Sequence, residues 1–203
     1  MAASPALSRR TLMLLFAGAL AAGRDAFAAE PQRFGPPVRF TWEGLVERAR
    51  LLARKPHVPP PHAPDPAPDF EAAVARAYGP AELLGSAIRL LPVTRLAPIP
   101  VRIHLVEGGV ARPLNSTAGL FAGDGAGEAA GFRVLTPSQR SDWLAYQGAS
   151  YFRASGAQDQ YGLSARGIAV DSGLSRPEEF PAFTDFWIET LEAGHVRVHA
   201  LLD

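Results

Sequence analysis

The side chains best suited to binding chemistry are concentrated within residues 148–167. Tyr151, Phe152 and Arg153 follow one another, and Tyr161 and Arg166 come shortly after them. Aromatic rings can cover the apolar C–H face of a sugar while planar arginine donors hold its hydroxyl groups, so this mixture predicts saccharide contact. The same residues also fit two ordinary strands with Tyr and Phe in the core and Arg at the surface. The residues alone favour this second interpretation.

Other reactive side chains lack the spacing that catalysis or metal binding requires. His195 and His199 share one strand face, but the sequence spacing offers no third metal ligand. Ser164 lies in a Gly-x-Ser-x-Arg sequence, which lacks the second glycine of a nucleophile elbow. The sequence has no Gly-rich phosphate loop and no clustered histidines and carboxylates. We therefore predict no metal site and no cofactor.

Carboxylates for glycoside hydrolysis are present, but no pair is selected by its spacing. The reaction needs two carboxyl groups that face a bound sugar. The acids available in the second half of the chain are Asp159, Asp171, Glu178, Glu179, Asp185 and Glu189. We assign none of them a catalytic role.

The first 28 residues have the order of a twin-arginine signal peptide. Arg9 and Arg10 precede an uncharged apolar run, and Ala26 and Ala28 supply a small-x-small cleavage pattern. The run is shorter than the roughly 20 residues that a membrane-spanning helix needs, so no stable membrane anchor is predicted. We expect export to the periplasm by the twin-arginine route. A short buried helix of the fold is the alternative.

Composition restricts the classes of partner. The chain of 203 residues has 20 basic and 20 acidic side chains and no cysteine. Without the predicted signal peptide its net charge is −2, which predicts no nucleic-acid partner. Disulfides and thiolate chemistry are excluded, so stability must come from the packed core of one domain.

A helix and a proline-rich segment precede the strand-rich part. Apolar residues at helical spacing predict a helix over residues 41–54, capped by Thr41. Seven of residues 56–68 are proline, which predicts an extended strap. Residues 69–84 are alanine-rich and compatible with a helix that Gly79 and Pro80 interrupt, although their apolar spacing is poor.

The later part of the chain has the pattern of antiparallel sheet. Short runs rich in Val, Ile, Phe and Tyr alternate with turn residues. Strands are predicted at residues 101–106, 110–112, 131–135, 150–153, 166–170, 184–189 and 196–201. The elements together predict an all-β fold preceded by a short helix and a proline-rich strap.

The sequence ends on a predicted strand, residues 195–202. A terminal strand leaves a sheet edge with which another chain can pair. We therefore expect self-association through this edge. It also defines an alternative function, a non-catalytic periplasmic interaction module.

Several blocks of sequence occur in the order and spacing of a known family. Residues 40–56 and 100–107 match it, and residues 148–154, 161–167 and 179–187 match it more strongly. By these blocks the chain resembles the osmoregulated periplasmic glucan biosynthesis family, proteins D and G. The twin-arginine signal resembles the D branch, because G proteins typically carry an ordinary secretory signal.

The resemblance implies a partial β-sandwich of the galactose-mutarotase-like type that binds a β-1,2-linked glucan oligosaccharide or polymer. The domains expected are a signal peptide (1–28), the helix and strap (29–68) and an incomplete N-terminal glucan-binding sandwich (69–203). Members similar to glycoside hydrolases act through aspartates expected beyond residue 203, so we expect a truncated chain and leave its enzymatic activity open. Residues 69–87 depart from the family's pattern.

Overall fold

The chain is built mostly from β-strands. A computed structural model describes residues 33–64, 69–123, 127–156, 161–192 and 195–203, with residue 161 described as backbone alone. Within these residues, ten strands form two five-stranded sheets, accompanied by two short helices. The predicted signal peptide, with Arg9, Arg10, Ala26 and Ala28, lies outside the described residues.

The first sheet combines strands from the two ends of the described chain. Its strands are β1 (Val38–Arg39), β3 (Arg102–Glu107), β4 (Val110–Pro113), β9 (Phe183–Thr190) and β10 (Val196–Leu202). They lie in the order β1-β4-β3-β9-β10. The β3–β9 pair is parallel and the other pairs are antiparallel.

The second sheet is antiparallel throughout. Its strands are β2 (Ile88–Pro92), β5 (Ala129–Leu135), β6 (Asp142–Gln147), β7 (Tyr151–Ser155) and β8 (Tyr161–Arg166). They lie in the order β2-β5-β6-β7-β8, so β5 to β8 form a meander of consecutive strands.

The inner faces of the two sheets pack on each other and form the main core. Phe132 of β5 meets Phe186 of β9 edge to face, with ring centroids 5.0 Å apart. Tyr146 of β6 meets Phe183 in the same way at 5.8 Å. Such edge-to-face contacts between two sheets are typical of a packed sandwich interior. The structure thus confirms the predicted all-β sandwich fold.

The first helix, α1 (Trp42–Leu52), covers the outer face of the first sheet. Thr41 caps it as predicted, since its Oγ1 accepts a hydrogen bond of 3.1 Å from the Gly44 N–H. Leu45 is the buried residue of α1. It belongs to a cluster with Val106, Ala111, Trp187 and Leu201 of the sheet. The apolar side of α1 therefore closes this face.

The second helix, α2 (Phe70–Tyr78), lies over the outer face of the second sheet. Arg89 of β2 donates a hydrogen bond of 2.7 Å to the Gly79 carbonyl, and Arg133 of β5 donates one of 3.1 Å to the Ala77 carbonyl. Positive side chains stabilise the carbonyl end of a helix. No residue of α2 is buried, so the contacts at its C-terminal end hold it on the sheet.

The described part of the proline-rich strap, residues 56–64, is neither helix nor strand. Ala63 packs against Val93, Ala97 and Ala130, and its N–H donates a hydrogen bond of 2.8 Å to the Pro98 carbonyl. The strap is therefore attached to the rim of the sandwich beside β2.

Most strand predictions agree with the structure to within two residues, but one is wrong and three strands were not predicted. The strand predicted at residues 166–170 is wrong, because β8 ends at Arg166 and Val170 makes only an isolated bridge to Glu179. The sequence patterns do not predict β1, β2 or β6. β8 instead covers Tyr161–Arg166, the residues that pair with β7.

Within the described residues β10 is an end strand of the first sheet and pairs with β9. Its position agrees with the expectation of an edge strand, and its pairing with another chain stays a prediction. In the described part of the chain, none of the helices is long and apolar enough to span a membrane.

Candidate functional site

A groove of about 510 Å³ lies between α2 and the second sheet. One wall is formed by Phe70, Val74 and Tyr78, which are four positions apart and so lie along one side of α2. The other wall carries Tyr151 and Arg166, two of the five residues predicted to contact saccharide.

The aromatic side chains of the groove are open to solvent. Phe70 is 83% exposed, Tyr78 52% and Tyr151 36%. Large apolar side chains that line a concave surface and remain exposed are typical of binding sites. The groove therefore has the composition of a surface that binds a partly apolar ligand.

The pairing of β7 and β8 places Tyr151 directly opposite Arg166. The Tyr151 hydroxyl lies 2.8 Å from the Ser164 Oγ. The Arg166 guanidinium lies 4.0 Å from the centroid of the Phe180 ring and donates a hydrogen bond to the Ala149 carbonyl. These contacts hold the planar group of Arg166 beside the tyrosine at the edge of the groove.

The turn before β7 fixes the direction of Tyr151. Ser150 has a φ of +52°, a left-handed conformation that is uncommon for a residue with a side chain. It is fully buried, and its Oγ donates a hydrogen bond of 2.9 Å to the Ile168 carbonyl. The Ser150 carbonyl accepts a hydrogen bond of 2.8 Å from the N–H of Gly167, the residue directly after β8. This turn therefore supports both wall residues, Tyr151 and Arg166.

Two of the other predicted contact residues, Arg153 and Phe152, do not line the groove. Arg153 shares a face with Tyr151 but forms an ion pair of 2.9 Å with Asp142. Phe152 points to the opposite face of the sheet and stacks on Tyr146, with centroids 5.9 Å apart. The backbone of Tyr161 lies in β8, and its side chain is outside the description. The structure thus brings two of the five predicted residues together.

Some groove residues were not identified from the sequence. Gln147 lies opposite Tyr151 in the register of β6 and β7, and its amide can donate and accept hydrogen bonds. The spacing of Phe70, Val74 and Tyr78 was a usable signal, because a helix that places three large side chains on one exposed side has an unpartnered surface.

Asp185, an acid whose pKa is strongly shifted, lies on the other side of the sandwich. It is fully buried and accepts hydrogen bonds of 2.8 and 2.7 Å from Arg102. Its Oδ1 is also 3.2 Å from His104 Nε2 and 3.5 Å from an Arg48 nitrogen of α1. Asp185 therefore links α1 to β3.

The ionisation of Asp185 follows from these contacts. Burial alone raises its pKa, but hydrogen bonds from His104 and Arg102, with the charges of Arg102 and Arg48, hold the pKa well below its ordinary value. A carboxylate that stays ionised and has no access to solvent is unsuited to proton transfer with a substrate. Its contacts connect α1 to the first sheet.

His199 packs against aromatic rings, whereas His57, His62 and His195 are exposed. His199 contacts Phe40 and Trp42, with ring centroids 5.2 and 5.6 Å apart, and burial lowers its pKa. Over the described ranges, no cluster of three His, Cys, Asp or Glu side chains could hold a metal ion.

Fold and groove together define a class, a two-sheet β-sandwich with an open groove that is lined by aromatic and planar polar side chains. The sequence comparisons place the chain in a family. Residues 40–203 match the family described as "Periplasmic glucan biosynthesis protein, MdoG". The chain belongs to this family, as its sequence blocks predict.

Curated relatives carry both the D and the G names. The chain is 36% identical to glucans biosynthesis protein D 2 of Ralstonia nicotianae, over 88% of this chain and 39% of the relative. It is 39% identical to glucans biosynthesis protein D 1 of the same organism, over 78% of this chain and 34% of the relative. Glucans biosynthesis protein G of Rhodopseudomonas palustris is 45% identical over 47% of this chain and 19% of the relative.

The chain spans between a third and two fifths of the length of the two Ralstonia relatives. Membership of a family of periplasmic proteins supports a periplasmic location.

Proposed function

We propose that this chain takes part in periplasmic glucan biosynthesis and binds a glucan chain in the groove between α2 and the second sheet. The observation that carries the proposal is the set of exposed aromatic side chains on both walls of one groove, beside the paired Tyr151 and Arg166. Family membership supplies the glucan as the ligand class.

The arrangement of the walls suits a sugar chain. Tyr78 and Phe70 on α2 can cover the apolar faces of sugar rings, and Tyr151 can do so from the sheet. Gln147 and Arg166 supply planar donors for hydroxyl groups. A polymer needs a site that is open at its sides, and a groove beneath a helix without buried residues meets this need.

The preferred ligand is a linear β-1,2-linked glucan, which follows from the family resemblance. The proposal is restricted to binding, and it assigns no catalytic residue to the described chain. Phe152, Arg153 and Tyr161 remain candidates for contact through a longer ligand that extends along β7 and β8.

Calorimetric titration with linear β-1,2-gluco-oligosaccharides of increasing length tests the proposal. We expect saturable heat, and we expect Tyr78→Ala and Tyr151→Ala each to weaken binding by about tenfold, the value of one lost ring contact. Trp42→Ala is a matched control, because Trp42 is 58% exposed but lies in α1, over the first sheet. Absence of heat at millimolar ligand would remove the binding proposal, and an equal loss in the Trp42 variant would place binding elsewhere.

We propose in addition that the chain reaches the periplasm by the twin-arginine route. Replacement of Arg9 and Arg10 by lysine should then leave the protein in the cytoplasm, as measured by cell fractionation. Unchanged export of this variant would contradict the route while leaving the glucan proposal intact.

A further inference from the structure

A row of arginines crosses the outer face of the second sheet, next to the groove. Arg89 of β2 lies opposite Arg133 of β5, Arg133 lies opposite Ala145 of β6, and Ala145 lies opposite Arg153 of β7. Directly opposed residues share a face of the sheet, so the three arginines point to the same side. The sheet face beneath α2 is therefore rich in positive charge.

The pKa of Arg133 is lowered chiefly by burial, and the neighbouring arginines contribute less. Burial lowers the pKa of Arg133, Asp142 partly offsets this effect, and the positive charges of Arg89 and Arg153 add to it. The guanidinium of Arg133 lies 4.3 Å from the centroid of the Tyr78 ring. Since Tyr78 lines the groove, its ring is the side chain that lies between Arg133 and a ligand in the groove.

The groove itself adds further positive charge. Arg95 and Arg166 line it, and both are exposed. Of the described residues that line the groove, Asp69 is the one acid, and its Oδ1 already accepts a hydrogen bond of 2.7 Å from the Ala72 N–H at the start of α2. Asp142, whose charge acts on Arg133, is paired with Arg153. Among the described residues, five arginines of the row and the groove thus face two acids: Arg89, Arg95, Arg133, Arg153 and Arg166 against Asp69 and Asp142.

We infer that the groove selects glucan chains that carry anionic groups, such as carboxylates, over neutral glucans. This inference rests on the proposed function, because it names the class of glucan that the same groove takes. Arginine holds carboxylate and phosphate groups through charge-assisted hydrogen bonds in a planar fork. An anion in the groove would also reduce the repulsion among Arg89, Arg133 and Arg153.

Titration of the full chain with two matched oligosaccharides tests the inference. One probe is a neutral linear β-1,2-gluco-oligosaccharide, and the other is the same oligosaccharide with its primary hydroxyl groups oxidised to carboxylates. We expect the carboxylated probe to bind about tenfold more tightly at low salt, and this preference to shrink as screening increases. Because every sugar unit carries a charge, the expectation does not depend on the position of the chain in the groove.

Two arginine variants assign the preference to this groove. Arg95→Gln should reduce the affinity ratio of the two probes to about a third. Arg112→Gln should leave the ratio unchanged, because Arg112 is an exposed arginine of β4 in the first sheet. A ratio that Arg95→Gln leaves intact would overturn the assignment to this groove.

The outcomes separate this inference from the proposed function. Equal or weaker binding of the carboxylated probe would overturn the inference, while binding of the neutral probe would still support the proposed function. Binding of the carboxylated probe alone would support the inference and restrict the proposed ligand to acidic glucans. Failure of both probes to bind would remove both.

Discussion

The two outer faces of the sandwich carry the same kinds of element and use them differently. Each face is a five-stranded sheet with one short helix over it. Under α1, Leu45 is buried and the ionised Asp185 connects helix and sheet. Under α2 no helix residue is buried, and a groove of about 510 Å³ remains open.

Under the proposed function, the two faces serve different purposes. An apolar helix side on an apolar sheet face excludes water and contributes to folding stability. A helix attached by its carbonyl end alone leaves the sheet beside it accessible, and its exposed aromatic side chains remain available to a ligand. Substitutions on the first face should therefore change stability, and substitutions on the second should change binding.

Leu45→Ala should have the largest effect on stability. Removal of this buried side chain leaves a cavity between α1 and the sheet, which should cost about 2–4 kcal/mol. Val74→Ala is the matched change in α2, where the side chain is 39% exposed, and it should cost less than about 1 kcal/mol. Urea denaturation measures both, and equal losses would contradict the distinction between the two faces.

Asp185→Asn should follow with a loss of about 2–3 kcal/mol, because Arg102 and the half-buried His104 then lose hydrogen bonds to a charged group. Arg102 can turn towards solvent, since its side chain is 66% exposed, and this limits the loss. Glu189→Gln, which breaks the more exposed pair with Arg197, should cost no more than about 1 kcal/mol. A comparable loss in both variants would show that Asp185 is not a special anchor.

The same carboxylate predicts a dependence of stability on pH. The pKa of Asp185 is lowered from 3.8 in the folded chain, so its contribution is complete above the unfolded pKa and is lost as the pH falls below it. Denaturation midpoints of the wild type should therefore fall more steeply below about pH 4 than those of Asp185→Asn. Parallel curves for the two proteins would contradict this source of acid sensitivity.

Phe70→Ala should have the smallest effect on stability and a clear effect on binding. Its ring is 83% exposed, so the change in unfolding free energy should stay within about 0.5 kcal/mol. Glucan affinity should nevertheless fall, because the ring forms part of the groove wall. Thermal unfolding and titration of the same sample check both statements, and a large loss of stability would show that α2 depends on this residue.

Local patterns explain why much of the fold was predictable. The cap at Thr41 and the apolar period of α1 are set within one turn of helix, and most strands alternate over their own length. The strand predictions that failed concern strands whose extent depends on the strands they pair with. The real extent of β8 follows from its register with β7, and β6 is a central strand whose sequence, Asp-Trp-Leu-Ala-Tyr-Gln, does not alternate cleanly.

The candidate site was predictable to a smaller extent. Tyr151 and Arg166 were identified because their types suit sugars, and strand pairing then placed them side by side. Phe152 illustrates the limit. Successive side chains of a strand point to opposite faces of the sheet, so Phe152 faces away from Tyr151 and Arg153. The wall from α2 depends on Arg89 and Arg133, which hold the helix from distant parts of the sequence.

The parallel pairing of β3 with β9 has a consequence for the order of folding. Arg102 and Asp185 are 83 residues apart in sequence, and the whole second sheet except its first strand lies between β3 and β9. Closing so long a loop is slow, whereas β5 to β8 pair with their sequence neighbours. We expect pulsed hydrogen exchange to show protection in β5 to β8 before β3 and β9. In that order the meander that carries one wall of the groove is already formed when Asp185 connects α1 to the first sheet. Simultaneous protection of both sheets would contradict this order.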